Sequence, residues 1–279
     1  QFRINCISQL FAPPDASLPL AHEHERLNGC AMARFRALIN RFDPRKPRFV
    51  APITPDRPFV AVGDIHGRLD LLEALLVMLE SEAPKLPLVF LGDYVDRGPD
   101  SAGVLRKLMT LEQDGAREVV CLMGNHEAMM LEFLDMPGAK WPLWTRNGGS
   151  ATLRSFGLDP DSGSPAETRD RLRDRAGLAL LEWIDERPLI WQNGNVVTSH
   201  AGGDPTRPIE PRRGHGLLWG HPKIFSKPRQ DGLWMVHGHF IRDKPEMKDG
   251  RIGIDTGACH TGHLTAAIIE PGFVRFVST

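Results

Sequence analysis

One apolar run that ends in a crowd of charges constrains this chain more than any other stretch. Leu86 to Leu91 reads as a buried strand, with Pro87 near its start, and it breaks at Gly92. Within five residues the loop then delivers Asp93, Asp96 and Arg97, in the sequence FLGDYVDRG over residues 90–98. Acids and an arginine crowded on a glycine-flanked loop at a strand's end are costly for folding unless they bind something. Asp93 can present one carboxylate oxygen to each of two metal ions. Asp96 and Arg97 lie beyond it, free to orient a neighbour and to grip an anion. Taken alone the stretch also fits a surface turn with a local ion pair. Its neighbours decide between the two.

The same pattern occurs three times. Strand FVAV (59–62) runs into Gly63-Asp64-Ile65-His66-Gly67, and an apolar helix follows, LDLLEALLVMLESEA, ending near Pro84. After FLGDYVDRG comes a second helix, PDSAGVLRKLMTLEQDG, closing on Gly115. A third strand, EVVCLM, reaches Gly124-Asn125-His126-Glu127 and leads into AMMLEFLDM. This β-α-β-α-β-α order predicts a largely parallel sheet with helices packed on it. Ligands of such sheets bind beyond the carboxyl ends of the strands, so the three polar clusters meet on one edge.

Downstream, residues 141–186 read as helical, interrupted at Asn147-Gly-Gly and at the loop from Asp159, with Trp141, Trp144 and Trp183 as core packing. PLIWQ and VVTSH flank Asn193-Gly-Asn, a hairpin signal, and the hairpin ends at His200. A Pro/Gly/Arg-rich loop spans Gly202 to Gly216. LWMVHGH supplies a short strand ending in His239, and RIGID, LTAAIIE and FVRFV are expected to finish a more antiparallel half. His237 reads as structural or as a residue supporting the site from behind, and His215, His260 and His263 as loop histidines.

Upstream, residues 1–31 look unlike the rest. They carry Pro13, Pro14, Pro19 and a polar patch around His22 and His24, which lacks a third ligand, and they are expected to be a non-native or flexible extension before a start at Met32. Phe35, Leu38, Ile39 and Phe42 sit at helical spacing. Residues 32–58 form a basic, proline-rich arm with seven Lys/Arg against two Asp, and residues 59–279 are expected to be the catalytic domain. The net charge of −1 gives no global attraction to nucleic acid or membranes, and no apolar run approaches a membrane span. Cys6, Cys30, Cys121 and Cys259 show no paired spacing, which argues against a thiolate zinc site and makes the cytoplasm the expected compartment.

The ligands collected at the strand ends are Asp64, His66, Asp93, Asn125, His200 and His239. Three imidazoles, two carboxylates and an amide oxygen suit Mn²⁺, Fe or Zn²⁺ better than Ca²⁺. With Asp93 bridging, they divide into Asp64/His66/Asp93 and Asp93/Asn125/His200/His239, a set for two divalent ions with Mn²⁺ expected first. Two ions so bridged sit about 3.5–4 Å apart and clamp a phosphoryl group.

The motifs GDIHG, GDYVDRG, GNHE, SHAG around His200 and GH at Gly238-His239 resemble the phosphoprotein phosphatase family of calcineurin-like metallophosphoesterases, nearest to its bacterial and phage protein-phosphatase branch. They cover roughly residues 59–275 in the family's order. The resemblance implies an α/β fold, a β-sandwich flanked by helices (αββα). It implies a metal-dependent phosphomonoesterase acting on phosphoserine or phosphothreonine of proteins, with phosphotyrosine or small phosphoesters as further substrates. It also implies in-line attack on phosphorus by a hydroxide shared by the two ions, with His126 as the general acid held by Asp96, and Arg97 binding phosphate oxygens with Asn125 and His221 on the substrate side.

One departure stands out. The bacterial branch usually carries a second phosphate-binding arginine two residues after the tryptophan of an LLW-type segment, and LLWGHPKI puts His221 there. Weaker grip on a monoester dianion follows, with a raised diesterase-to-monoesterase ratio. The alternative is a hydrolase of dinucleoside polyphosphates or other phosphodiesters. The tetraphosphatase branch is similar in outline, but usually has Gln at the place of His66 and Asn at the place of Asp96. A catalytically silent binding module is opposed by the intact ligand set.

Overall fold

Strand β1 (Phe59–Val62) is buried at all four positions because it lies between two apolar layers. Phe59 and Ala61 face a second sheet, while Val60 and Val62 face helices. The same division holds along β2 (Leu88–Phe90), where Val89 enters the inter-sheet core and Leu88 and Phe90 the helical side. A strand covered on both faces reads as an unbroken apolar run rather than an alternating one. Each large side chain buried in this way contributes roughly 1.5–3 kcal/mol relative to exposure.

The computed structural model describes residues 48–210 and 214–279. The expectations for residues 1–31, for the Met32 start and for the helical spacing over 32–42 lie outside the described residues. Residues 48–58 run without helix or strand along the tip of a hairpin. There Asn193 Oδ1 accepts the Asp56 N–H at 2.9 Å and Asn195 Oδ1 the Thr54 N–H at 2.7 Å. Phe49 stands edge-on to Trp234 with ring centres 4.8 Å apart.

After β1 come α1 (Leu69–Glu82), β2, α2 (Ser101–Asp114), β3 (Val119–Cys121) and α3 (Asn125–Asp135). Next are α4 (Pro137–Trp144), a wide helical turn at Thr145–Gly149, α5 (Ser150–Ser155), α6 (Pro165–Ala176) and α7 (Leu178–Asp185). The last part holds β4 (Ile190–Asn193), β5 (Val196–Ser199), α8 (Gly214–Trp219), β6 (Trp234–His237), β7 (Glu246–Lys248) and β8 (Arg251–Gly253). Helix α9 (Ala258–Thr261), β9 (Thr265–Glu270) and β10 (Phe273–Ser278) close the chain. Helices α1–α7 all supply side chains to one core on the outer face of the first sheet, among them Leu72, Leu105, Phe133, Trp144, Leu153, Leu172 and Ile184. No helix among the described residues is long and apolar enough to cross a membrane.

The first sheet has the order β10-β9-β1-β2-β3, with β1, β2 and β3 parallel as the sequence order predicts. The second has the order β4-β5-β6-β8-β7. Two sheets face each other with helices flanking them, in agreement with the expected sandwich.

The expected more antiparallel second half holds only in part: β4–β5, β7–β8 and β9–β10 are antiparallel pairs. Strands β5, β6 and β8 are parallel to one another, and the β9–β10 hairpin joins the first sheet beside β1. The reason is burial. Ala266 and Ile268 face the helical core while Ala267 and Ile269 enter the inter-sheet core, so β9 needs apolar cover on both faces. Hairpin signals specify only the immediate partner of a strand, and β9 finds its second partner far upstream, in β1.

Candidate active site

Strands of both sheets end together here: β1 before Asp64, β2 before Asp93 and β3 before Asn125 in the first, β5 before His200 and β6 before His239 in the second. The loops after β1 and β2 are zipped together, because Ile65 N–H and His66 N–H both donate to Asp93 O, at 3.1 and 2.8 Å. The loops after β2 and β3 touch backbone to backbone. A Cβ at Gly92, where φ is +100°, would lie 2.5 Å from Gly124 N. Five of the seven non-glycine residues with positive φ among the described residues belong here: His66, Asp93, Asp96, Arg97 and His239. Each costs about 1–2 kcal/mol, and strain of this kind concentrates at functional sites.

Glu127 offsets part of that cost. Its buried carboxylate accepts the N–H groups of Asp93 at 2.8 Å, Tyr94 at 2.7 Å, Val95 at 3.2 Å and Gly124 at 3.0 Å. Burial, with the Asp93 charge nearby, pushes its pKa up to about 7. The sequence reading missed it. Its signal was a third-position acid in a helix's first turn, since GNHE forms the start of α3 rather than a loop before it.

Asp93 stands between two groups of donors. Its Oδ2 lies 3.4 Å from His66 Nε2, and its Oδ1 lies 3.4 Å from His200 Nε2. Two clusters share it, His66/Asp93/His126 and Asp93/His200/His239, with ligand atoms in each cluster within 4.8 Å of one another. Asn125 Oδ1 joins the second, 2.7 Å from His200 Nε2 and 3.0 Å from His239 Nδ1. Burial works to raise the Asp93 pKa, but the imidazoles of His200, His126 and His66 outweigh it and hold the carboxyl well below the usual range.

The donor chemistry fits divalent cations. His66 Nδ1–H donates to Val95 O at 2.8 Å and His200 Nδ1–H to Leu91 O at 3.0 Å, which turns each Nε2 lone pair inward. Burial lowers the pKa of His66 to about 3 and of His239 to about 4, and lowers that of His200, so these rings are neutral donors. Asp64 supplies a further sign: Oδ2 accepts the His239 N–H at 2.9 Å, while Oδ1 is buried without a partner. Burial, with Asp255 and then Asp93 beside it, raises the Asp64 pKa well above the usual range. A shared cation would satisfy that orphan oxygen and oppose the repulsion.

His126 is the exception among the four imidazoles. Burial would lower its pKa, but the charges of Asp93 and Asp96 raise it. Its Nδ1 lies 2.7 Å from Asp96 Oδ2. Arg97 is exposed, with its two terminal nitrogens 2.9 Å from His66 Nε2 and 3.0 Å from His126 Nε2.

The structure separates two other histidines from this group. His237 is buried against Phe225 and Phe240, with its Nδ1–H on Gly238 O at 3.0 Å, away from both clusters. His221 lies in the wall of a neighbouring cavity of about 380 Å³, where its Nδ1 accepts the Lys223 N–H and its Nε2 is 3.7 Å from Asp204. Asp255 was not foreseen either. It is buried, its pKa is pushed up to about 6 by burial, and Asp93 and Arg97 lie close enough to affect it.

The chain is similar to several known proteins. A symmetrical bis(5'-nucleosyl)-tetraphosphatase of Ralstonia nicotianae is 34% identical, over 78% of this chain and 90% of that protein. Serine/threonine-protein phosphatase 1 of Salmonella typhimurium is 30% identical, over 75% of this chain and 90% of that protein. A crystal structure of a candidate diadenosine tetraphosphatase shares the fold, with a TM-score of 0.57 and 24% identity over 82% of this chain and 98% of that one. The sequence profile of the calcineurin-like phosphoesterases matches residues 57–250, most of the chain. The chain therefore belongs to the calcineurin-like phosphoesterases and is a metal-dependent hydrolase of phosphoric esters.

Proposed function

We propose that the chain hydrolyses phosphomonoesters with alkoxide leaving groups, in the first place phosphoserine and phosphothreonine of proteins. The observation that carries this reading is the buried pair Asp96–His126, with 2.7 Å between Asp96 Oδ2 and His126 Nδ1. A serine or threonine alkoxide cannot depart without a proton, whereas a polyphosphate leaving group needs little protonation. A braced imidazole with a raised pKa is of most use to the first kind of substrate.

Asp64, His66 and Asp93 would hold one divalent ion, and Asp93, Asn125, His200 and His239 the second, with Mn²⁺ preferred over Fe or Zn²⁺. When bound, the two ions supply Lewis acidity and activation of water. The chain's own residues do the rest. Arg97 binds phosphate oxygens through its planar fork, and Asn125 also touches the substrate side. His126 donates a proton from Nε2 to the departing oxygen, and Asp96 keeps the ring's other nitrogen occupied so that Nε2 points at the reaction.

The cavity beside the centre favours a second reading, a dinucleoside polyphosphate hydrolase. It begins at Gly202, two residues after His200, and Arg207, Ile209, Leu217 and Lys223 line it along with His221. That space would admit the far half of a long substrate, and the tetraphosphatases among the chain's relatives agree with it. With Mn²⁺-loaded protein, kcat/KM on a phosphoserine peptide is expected to exceed that on a dinucleoside tetraphosphate. A tetraphosphate turned over at least tenfold faster than the peptide would replace the first reading by the second.

Position 221 gives a separate test. The absent arginine is expected to weaken the grip on monoester dianions more than on diesters. Because Asp204 stands 3.7 Å from the ring, an arginine placed there meets a carboxylate first. His221→Arg alone should therefore change KM for p-nitrophenyl phosphate little. Together with Asp204→Asn it should lower KM up to about tenfold, equivalent to ~1.4 kcal/mol, with little gain on bis-p-nitrophenyl phosphate. Equal gains on both substrates would show that position 221 does not reach the phosphate.

A further inference from the structure

The wide turn between α4 and α5 connects the helical layer to the two groups that face the substrate. Asp96 is fully buried, and it takes most of its hydrogen bonds from the two helices that flank this turn, through Trp144 of α4 and Thr152 of α5. Trp144 Nε1–H lies 3.1 Å from both carboxylate oxygens. The Thr152 hydroxyl donates to Asp96 Oδ1 at 2.6 Å and accepts the Asp96 N–H at 2.9 Å, a duty it shares with Ser101 Oγ at 3.0 Å. Between these residues, Gly148 O accepts the Arg97 N–H at 3.3 Å. Both glycines of Asn147-Gly-Gly are required by contact. A Cβ at Gly148, where φ is +110°, would lie 2.7 Å from Arg97 N, and one at Gly149 would lie 2.5 Å from the Trp144 ring.

We infer that Trp144 and Thr152 are positioning residues for the acid, holding the Asp96 carboxylate in the one orientation that fixes the His126 ring. This rests on the reading of His126 as the proton donor. With Oδ1 held by Thr152 and both oxygens held by the indole N–H, Oδ2 is left facing His126 Nδ1. Without those donors the carboxylate can turn, and a buried carboxylate short of partners seeks others. His126 Nε2 would then spend less time on the departing oxygen. Neither residue touches substrate, so the loss should fall on kcat for substrates that need the proton and on little else.

Trp144→Phe keeps the ring that stacks on Phe133, 4.7 Å between centres, and removes only the N–H. It is expected to lower kcat on an alkyl phosphate by about tenfold, in the range typical of lost outer hydrogen bonds. KM, bound metal and kcat on p-nitrophenyl phosphate should stay within a factor of about two of the parent, because an aryl leaving group needs little protonation. Thr152→Val should act in the same direction and Thr152→Ser should restore the rate. In a His126→Asn background, Trp144→Phe should add no further loss. Equal losses on alkyl and aryl esters, additivity with His126→Asn, or a Thr152→Val enzyme with full alkyl activity would each overturn the inference. If Trp144→Phe fails to fold, the Thr152 pair decides alone. The acid reading beneath it is judged separately. It fails if His126→Asn slows both ester classes alike, whatever Trp144 and Thr152 do.

Discussion

Asp93→Asn is expected to lose bound metal and activity together. The native carboxylate lies 3.4 Å from His66 on one side and 3.4 Å from His200 on the other, so each oxygen serves a different cluster. An asparagine has the same shape but offers one acceptor and one N–H₂ group, so one cluster would meet a donor where it had an anion. The native group's pKa is held low despite its burial, so it is an anion, and the amide supplies no such charge. Metal analysis should find the stoichiometry reduced, and kcat/KM should fall by at least ~10²–10³-fold, the scale seen when an active site loses one key electrostatic group. In the parent protein a chelator should abolish turnover and Mn²⁺ should restore it. A variant that keeps two metals per chain and the parent rate contradicts the bridging role, and full turnover after chelation contradicts the dinuclear mechanism itself.

His126→Asn should leave the metals in place and remove the proton donor. The ring's Nδ1 is committed to Asp96, and its backbone N–H remains available to Asp93 Oδ1 at 3.1 Å whatever the side chain. The expected loss in kcat is ~10²–10⁴-fold on alkyl phosphates, the usual yield of general acid catalysis. The loss on p-nitrophenyl phosphate should be much smaller. Steady-state kinetics on a matched pair of alkyl and aryl esters measures the ratio, and equal losses would show that His126 donates no proton to the leaving group.

That β1, β2 and β3 run parallel was legible because apolar runs, glycines and helical spacings alternate as β-α units do. That Asp64, His66, Asp93 and Asn125 meet was legible for the same reason, since strand ends in one parallel sheet share an edge, whereas His200 and His239 arrive from strands of the second sheet. The placement of β9–β10 was not legible. A strand that is apolar on both faces fits either sheet, and its partner β1 lies far upstream.

The polar residues that hold the site rigid were also hidden. Trp144 read as packing, and it does stack on Phe133, but its N–H is spent on Asp96. Glu127 read as part of a motif, yet it gathers four backbone N–H groups from two loops. Local spacing carries a residue's own side chain to an edge, so the residues that gather there, Asp93, Asp96, Arg97 and His126 among them, could be named from the chain alone. Which distant donor meets a given carboxylate depends on how helices pack, and that is decided by the summed burial of many side chains rather than by any short pattern. His221 belongs to that second kind: its position in the chain suggested the phosphate, and packing placed it beside Asp204 in a cavity wall.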